Sequence, residues 1–315
     1  MTATTSRVLR FYEYGEPLDV VRLETAEVAD PPADRVRVRV IATGLNPADW
    51  HICRGFMAGS LPRGFGCDVA GRVDAVGENV TDVAVGDLVA GSADFAGQPS
   101  AGAADMAILR SWALIPEGLD PVRAAVLPMV VQTAVWTLDA MRVASDTTLL
   151  VHGAGSMVGY AAVQVARDRG ARVIATAGPT FRADLVGFGA QVTPYGEGMA
   201  DRVREIAGGP VDLALDAAPP APRTISALVE TVREPHQVVT VSDHDDARML
   251  GARVNLDMVR EQGWPPNDPT AEYTTKTARG QFRLPISRTF RLDDWRSAVE
   301  LSLSGAPHGK VVLIP

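Results

Sequence analysis

Apolar residues follow two different periods along the chain, and the change between them divides it into regions. Within residues 34–46, valine and alanine alternate with arginine, which predicts a strand buried on one face. From about residue 120, apolar residues recur every three or four positions, and short apolar strands then alternate with helices to about residue 254. The pattern predicts an α/β protein in which a β-rich domain, formed by both chain ends, surrounds an inserted domain with a parallel sheet.

The segment 148–176 combines a strand, a glycine turn, a helix and a second strand. Its turn holds Gly153, Gly155 and Gly159, and its helix is predicted from about residue 157 to residue 169. Glycines at such a turn let the backbone approach a pyrophosphate at the N-terminus of a helix. The spacing G-x-G-x-x-x-G has one residue more than the common fingerprint, but its context is the one that the motif requires. The segment therefore predicts half of a dinucleotide-binding domain, and an ordinary strand–helix crossover is the alternative.

The end of the second strand distinguishes NADPH from NADH. An NAD site usually places an acid there to bind the ribose hydroxyls, but no carboxylate occurs between Thr176 and Asp184. Arg182 is the first cation after the strand, and a guanidinium suits the 2′-phosphate of NADPH. Tyr195, after the next short strand, is a candidate to complete that pocket. We predict NADPH as the cofactor; the alternative is that Arg182 only lies on a solvated helix.

Composition narrows the classes of partner. The 315 residues are 46% hydrophobic, which suffices for two domains with their own cores. The net charge of −8 argues against nucleic acid or an anionic membrane as a main partner. Cys53 and Cys67 form no metal-binding CxxC pattern. With no apolar signal core and no apolar span of 18 residues, we expect a cytoplasmic protein with a small-molecule substrate.

Five strings, spread in order over almost the whole chain, carry a family resemblance. They are GLNPADWHICRG (44–55), GCDVAGRVDAVGENVTDVAVGDLVAG (66–91), LPMVVQTAVWTL (127–138), VHGAGSMVGYAAVQVARDRGARVIATA (151–177) and GKVVLIP (309–315). Together they resemble the medium-chain dehydrogenase/reductase superfamily, in its zinc-independent quinone oxidoreductase and enoyl reductase branch. The resemblance implies a GroES-like β-rich catalytic domain at residues 1–122 and 257–315. It also implies an inserted Rossmann domain with a doubly wound parallel sheet at 123–256, and often a homodimer through the Rossmann sheets.

The zinc ligands of the related alcohol dehydrogenases are missing here. Those enzymes have a cysteine where Asn46 stands and a histidine where Cys67 stands, and the region of their third ligand, around Met129, offers no ligand. Zinc takes about four nitrogen, sulfur or oxygen ligands, so one thiol does not suffice. We predict that the protein binds no metal.

The resemblance also implies roles for individual residues. Asn46 and Asp49 correspond to the GxNPxD pair, which lines the nicotinamide end and orders the loop, and they are predicted catalytic residues. The predicted cofactor-binding residues are Asn46, Thr133, Gly153, Ala154, Gly155, Ser156, Met157, Val158, Gly159, Thr176, Arg182, Tyr195, Val241, Ser242 and Lys310. Of these, Arg182, Thr176 and Tyr195 are assigned to the adenosine phosphate, and Lys310 resembles a lysine that approaches the cofactor in some relatives.

The chain departs from the family at the proton donor. Enoyl reductases of this branch carry a tyrosine where Met57 stands, and methionine donates no proton. His51 is the nearest candidate acid, because imidazole titrates near neutral pH; a surface or packing role is the alternative. His244 ranks below it. Cys67 is either an inert buried thiol or a thiol that tunes substrate binding.

The predicted reaction is hydride transfer from NADPH to a quinone or an α,β-unsaturated carbonyl compound. One alternative is a pathway-specific reductase for a bulky unsaturated ketone, whose pocket residues 56–58 and 264–266 would shape. A second alternative is an NADPH-binding protein with a non-redox role, which Met57 and Met157 favour.

Overall fold

The computed structural model describes residues 4–97, 99–263, 265 and 267–315 of the chain. Its strands are β1 (Thr5–Phe11), β2 (Arg22–Glu27), β3 (Val36–Gly44), β4 (Arg63–Gly64), β5 (Asp68–Val76), β6 (Leu88–Ala93), β7 (Met106–Leu114), β8 (Thr148–His152), β9 (Arg172–Thr176), β10 (Gln191–Thr193), β11 (Leu213–Asp216), β12 (Val238–Thr240), β13 (Arg253–Val254), β14 (Ile286–Arg291) and β15 (Lys310–Ile314). Its helices are α1 (Pro17–Val20), α2 (Pro47–Cys53), α3 (Pro121–Ala124), α4 (Pro128–Ala140), α5 (Met157–Asp168), α6 (Arg182–Gly187), α7 (Met199–Ala207), α8 (Thr224–Val229), α9 (His244–Met249), α10 (Asn255–Gln262), α11 (Thr270–Ala278) and α12 (Trp295–Leu303).

The chain forms two compact units. The first contains residues up to Met129 and from Asp268 onward, and the second is the continuous segment Val130–Asn267. Both boundaries lie later in the chain than the predicted ones at 122/123 and 256/257. Residues after 122 stay with the first unit because the chain after α3 packs on β3: a Cβ on Gly44 would lie 2.5 Å from the carbonyl oxygen of Ala125. Residues after 256 stay with the second unit because α10 packs on β13.

The first unit is built around a closed β-structure. Within the described residues, one sheet has the order β14-β15-β3-β5-β6-β7, and β3 also pairs with β7, so β3, β5, β6 and β7 close into a barrel. The valines of β3 are buried while its arginines are less so, as the alternation predicted. Trp295 and Val311 share one hydrophobic core with Phe11 and Val38, so the C-terminal segment completes this unit.

The second unit contains a parallel sheet in the order β10-β9-β8-β11-β12-β13. In order along the chain this is 3-2-1-4-5-6, the arrangement of dinucleotide-binding folds. The predicted α/β class, a GroES-like β-rich domain with an inserted Rossmann-type sheet, is confirmed. The carboxyl ends of all these strands lie along the same edge of the sheet, where such folds bind ligands.

The helical segment 121–140 corrects one expectation from the sequence. It is long and apolar enough to cross a membrane by length and composition alone, with a mean hydropathy of 1.2, whereas no such span was predicted. In the structure it is divided into α3 and α4 ahead of Pro128, and 61% of it is buried inside the protein. The core helix of a folded domain passes the same test, because its apolar faces are covered by protein.

Candidate functional site

Packing requires two of the three glycines in the turn after β8 and leaves space at the third. Gly153 has a φ of +71°, and a Cβ there would lie 2.5 Å from the backbone nitrogen of Ala218. A Cβ on Gly159 would collide with the carbonyl oxygen of Gly153. At Gly155 the nearest atom to such a Cβ is Cδ2 of Phe181, at 3.9 Å. The protein itself therefore tolerates a side chain at Gly155, and the space beside it is open to a ligand.

The N-terminus of α5 presents backbone donors without acceptors. Ser156 precedes the helix, and its hydroxyl accepts a hydrogen bond from the N–H of Gly159 at 3.1 Å. The N–H groups of Gly155, Met157 and Val158 have no acceptor within the described part of the chain. Three open donors at the positive end of a twelve-residue helix form an anion site of the kind that holds a pyrophosphate.

Thr176 ends β9 with its hydroxyl inside the protein. The hydroxyl lies 2.8 Å from Nδ1 of His152 and accepts a hydrogen bond from the N–H of Gly153 at 3.3 Å. The carbonyl oxygen of Thr176 accepts a hydrogen bond from the N–H of Ala154. Burial lowers the pKa of His152 to about 4, so this imidazole is neutral at pH 7. The hydroxyl that was assigned to the adenosine phosphate is thus engaged with His152, and Thr176 ties the strand end to the glycine turn.

Arg182 and Tyr195 are both accessible. Arg182 begins α6, is exposed, and has no side-chain partner among the described residues. Tyr195 is 62% exposed, and its hydroxyl lies 3.8 Å from the position of a Cβ on Gly178. The hydroxyl of Tyr160 donates to the carboxylate of Asp184 at 2.8 Å, which ties α6 to α5. An unpaired guanidinium on an anchored helix suits an anionic group of a ligand.

Asp216 is a buried carboxylate at the end of β11 that the sequence analysis did not single out. It accepts hydrogen bonds from the hydroxyl of Thr240 at 2.8 Å and from the N–H of Ala218 at 3.1 Å. Burial raises its pKa to about 6. Val241 donates its N–H to the carbonyl oxygen of Asp216, and the hydroxyl of Ser242 donates to the carbonyl oxygen of Ala218. The signal in the sequence was an acid at the end of the apolar strand LALD.

The ends of β8, β11 and β12 therefore meet. Ala218, after β11, packs against Gly153, after β8, and the hydroxyl of Ser242, after β12, reaches Ala218. Six predicted cofactor positions fall on these connected turns: Gly153, Ala154, Gly155, Ser156, Val241 and Ser242. Thr133 lies half-buried on α4.

In the first unit, Asn46 and Asp49 lie in a buried network at the start of α2. The N–H of Asn46 donates to Oδ2 of Asp49 at 2.7 Å, and the N–H of Cys67 donates to Oδ1 of Asp49 at 2.9 Å. Burial raises the pKa of Asp49 and raises that of Cys67 well above its usual value, so Cys67 is a protonated thiol. Asp49 thus joins α2 to the start of β5.

The side chain of Asn46 is held on every side. Its Nδ2 donates to the carbonyl oxygen of Gly44 at 3.1 Å and to Oδ2 of Asp68 at 3.0 Å. Its Oδ1 accepts a hydrogen bond from Nζ of Lys310 at 2.5 Å, and Nζ lies 3.8 Å from Oδ2 of Asp68. Met129 donates its N–H to Oδ1 of Asp68. Burial raises the pKa of Asp68 to about 6 and lowers that of Lys310.

Lys310, which was predicted to approach the cofactor, lies inside the first unit. Its side chain is 4% exposed, and its ammonium group is engaged with Asn46 and Asp68.

The loop after α2 carries the residues considered for proton transfer. His51 is exposed on the last turn of α2. Met57 is 51% exposed and has a φ of +55°. Its carbonyl oxygen accepts a hydrogen bond from the buried Arg63 at 2.7 Å. The hydroxyl of Tyr14 bonds to both the N–H and the carbonyl oxygen of Gly59. The loop is therefore anchored from the protein side and presents the Met57 side chain outward.

The other candidates considered from the sequence lie in the second unit or outside the described residues. His244 begins α9, and its Nε2 is buried without a hydrogen-bond partner in the part of the chain that is described. Trp264 and Pro266, which were predicted to shape a pocket, lie outside the described residues, and Pro265 is half-buried.

Comparisons with known proteins agree with this architecture. Residues 32–115 match the family described as alcohol dehydrogenase GroES-like domain, and residues 188–313 match the family described as zinc-binding dehydrogenase. Human quinone oxidoreductase is 35% identical over 178 residues. These matches support assignment of the chain to the medium-chain dehydrogenase/reductase superfamily, in its quinone oxidoreductase branch.

The curated relatives are matched over different shares of their length, and the chain spans about half of human quinone oxidoreductase. The match to human quinone oxidoreductase covers 55% of this chain and 53% of that protein. Erythronolide synthase EryA2 of Saccharopolyspora erythraea is 35% identical over 208 residues, which are 64% of this chain and 6% of the synthase. The structure of Escherichia coli quinone oxidoreductase complexed with NADPH has a TM-score of 0.80 and 23% identity, covers 98% of this chain and 100% of its own, and shows the shared fold.

The side chains around Asn46 and Cys67 do not suit zinc. Cys67 offers one sulfur and Asn46 one amide at these positions, whereas zinc takes about four nitrogen, sulfur or oxygen ligands. The Lys310 ammonium group, 2.5 Å from the Asn46 side chain, would repel a divalent cation at that position. In the described residues, no group of three or more His, Cys, Asp or Glu side chains is arranged to hold a metal.

Proposed function

We propose that this protein is a zinc-independent oxidoreductase that transfers a hydride from NADPH to a quinone or an α,β-unsaturated carbonyl acceptor. The observation that carries the proposal is the set of open N–H donors of Gly155, Met157 and Val158 at the N-terminus of α5. They lie at the turn of the first strand of a 3-2-1-4-5-6 sheet, where dinucleotide folds bind a pyrophosphate.

Residues of the second unit suit two groups of NADPH, its pyrophosphate and the 2′-phosphate of its adenosine. The open donors of α5 and the hydroxyl of Ser156 suit the pyrophosphate. Arg182 supplies an accessible cation for the 2′-phosphate, and Tyr195 lies beside Gly178 to flank it. Because the hydroxyl of Thr176 is already bonded to His152, nothing at this strand end replaces the acid of an NAD site.

The chemistry proposed for the site needs no Lewis acid. Bound NADPH supplies a hydride from C4 of its nicotinamide ring. A quinone or enone is already polarised by conjugation, so the protein has to position it and stabilise the developing negative charge. Met57 provides no proton; His51 is exposed on α2 and is the candidate to deliver one, with solvent water as the alternative.

The proposal is tested with the purified protein, NADPH or NADH, and a panel of quinones and enones. Oxidation is followed by the absorbance of the reduced cofactor, and binding is measured separately by its fluorescence. We expect oxidation of NADPH by at least one acceptor and weaker binding of NADH. Stoichiometric NADPH binding with no oxidation by any acceptor would overturn the proposal and favour a non-redox role.

A second candidate is a pathway-specific reductase of a bulky enone. The exposed apolar side chains of Phe56, Met57 and Leu61 on one loop favour it, because they suit an extended apolar substrate. The similarity to a segment of erythronolide synthase EryA2 points in the same direction. Activity on long-chain enones together with inactivity towards simple quinones would support this candidate over the general reductase.

A further inference from the structure

The buried network around Asn46 contains several ionisable side chains, which are unusual in a protein interior. Asp49, Asp68 and Lys310 are at most 4% exposed, so two carboxylates and one ammonium group share a space almost closed to water. Burying an ion costs several kcal/mol unless it is paired and hydrogen-bonded, as here. This arrangement joins segments that are far apart in the chain: Asn46 and Lys310 are 264 residues apart.

The hydrogen bonds of Asn46 show what the ammonium group does. Both donors of the Asn46 amide are used, one on Gly44 and one on Asp68, and its oxygen faces Lys310. An amide can rotate by half a turn and exchange the positions of its oxygen and its nitrogen, unless its neighbours can hydrogen-bond to only one of these two atoms. An ammonium group accepts no hydrogen bond, so Lys310 pairs only with the amide oxygen, while the acceptors of Asp68 and Gly44 pair only with the N–H groups. The three neighbours together fix one orientation of the Asn46 amide.

We propose that Lys310 is a positioning residue for the reaction. Its ammonium group fixes the side chain of Asn46 and so joins the N-terminus of α2 to the start of β5. This inference rests on the proposed function, since positioning is measured on turnover. The positions of Asn46 and Cys67 hold zinc ligands in related alcohol dehydrogenases. A lysine thus provides, within the chain, a cation that ties these two segments together.

The test compares Lys310→Met, Lys310→Arg and Asn46→Ala in the full-length protein. Turnover is measured with an acceptor found in the panel, and NADPH binding is measured by fluorescence. We expect Lys310→Met to lower kcat by about tenfold or more while the Kd of NADPH changes by less than about twofold. Lys310→Arg keeps the charge and the donor, and should recover most of the lost kcat.

A double-mutant cycle tests whether Lys310 acts through Asn46. If it does, Lys310→Met combined with Asn46→Ala lowers kcat little further than the more damaging single change, because the two residues form one unit. If instead the double variant lowers kcat by the product of the two single-variant factors, the inference is overturned. Lys310→Met leaves the carboxylates of Asp49 and Asp68 uncompensated. If this variant does not fold for that reason, the double variant Lys310→Met with Asp68→Asn, which removes one of the two carboxylates, replaces Lys310→Met in the cycle.

A second readout is independent of turnover. The chain has four asparagines, so selective ¹⁵N-asparagine labelling gives a few side-chain amide signals. We expect the Asn46 side-chain amide to exchange slowly with solvent in the wild type and at least about tenfold faster in Lys310→Met.

Three results would overturn the inference in an active protein. They are unchanged kcat in Lys310→Met, unchanged amide exchange in Lys310→Met, or weakened NADPH binding with unchanged kcat, which would make Lys310 a cofactor contact. Failure of the proposed function is seen earlier, as absence of turnover in the wild-type protein.

Discussion

At the scale of single residues, the glycines of one turn serve different purposes. Gly153 and Gly159 are required by contacts within the protein, since a Cβ at either would meet backbone atoms. At Gly155, the one described atom within 4 Å of such a Cβ is an aromatic carbon of Phe181, at van der Waals distance. A glycine that packing does not need, at an anion-binding turn, indicates a close approach by a ligand.

Gly155→Val should therefore weaken NADPH binding and spare the fold. We expect the Kd to rise by about tenfold or more, because a charge-assisted hydrogen bond to the pyrophosphate contributes ~1.5–3 kcal/mol. The melting temperature should stay near that of the wild type. Gly159→Ala is the matched contrast: it should lower stability by roughly 1–3 kcal/mol through overpacking. Fluorescence titration and thermal unfolding measure the two effects, and unimpaired NADPH binding by Gly155→Val would contradict the assignment of this turn.

Met57 is the residue at which the chemistry of this chain departs most from the family it resembles. Its side chain is half-exposed, and the loop beneath it is anchored by Arg63 and Tyr14. A tyrosine at this position would be carried on the same backbone.

Met57→Tyr should accelerate the reduction of enones more than that of quinones. A positioned general acid contributes roughly 10²–10⁴-fold where carbon must be protonated, so we expect at least about tenfold higher kcat with enones. Quinone products take their protons from water, and their rate should change little. Met57→Phe is the matched control, because it reproduces the ring and its strain without the hydroxyl. Equal rates for the two variants with enones would show that no acid is missing at this position.

At the scale of elements, the second unit places its polar groups at the carboxyl ends of three neighbouring strands. Asp216 at the end of β11 holds Thr240 at the end of β12, and Ala218 packs against Gly153 after β8. The pKa of Asp216 is raised because this junction is buried. The turns that would surround a cofactor are thus held together by a buried carboxyl group with a raised pKa.

The pH dependence of stability should report on Asp216. Its pKa is raised from 3.8 to about 6 in the folded protein, so folding favours the protonated form. The associated stabilisation is present below about pH 4 and is lost as the pH rises through 6, by about 2–3 kcal/mol. In Asp216→Asn this loss should be absent, so the variant gains stability relative to the wild type between pH 4 and pH 7.

Urea unfolding of both proteins across that range measures the difference. The contributions of His152 and Asp68, whose pKa values are also shifted, are common to both proteins and cancel. A difference that does not change with pH would mean that Asp216 has an ordinary pKa in the folded state.

At the scale of the whole molecule, the two units differ in how the chain builds them. The second is one continuous segment, whereas the first joins residues from both ends of the chain in one core. β15 pairs with both β3 and β14, so the C-terminal strand lies inside the sheet of the first unit. Removing the last strand would therefore expose the interior of that sheet.

We expect the protein to be a homodimer, as the family resemblance implies. In the second unit, β13 lies at one edge of the parallel sheet, and among the described residues its strand partner is β12, so its other side is a sheet edge that a second copy of the chain could extend. Light scattering after size exclusion should give about twice the 33.4 kDa of one chain. Backbone amides at Arg253 and Val254 should become more protected from exchange at higher concentration, while those of β10, at the other edge, should not. A monomeric mass at all concentrations would refute this expectation.

Much of the fold could be predicted from local patterns. The helix predicted at 157–169 is α5 (Met157–Asp168), and the strand predicted at the end of that segment is β9 (Arg172–Thr176). These elements are specified by residues a few positions apart, through apolar period and glycine placement. The extent of each unit depends instead on which unit α10 and the chain after α3 pack against, and local patterns do not record that.

The sequence by itself determined the class of fold and the glycine turn, because each depends on which residue types occur at a known spacing. Only the tertiary structure decided how the polar side chains pair. It placed Lys310 on Asn46, Thr176 on His152 and Asp216 on Thr240. Each of these contacts joins residues that are distant in the chain, and burial gives each polar group few available partners. A linear pattern records that a polar residue is present, whereas the packed fold determines which group satisfies it.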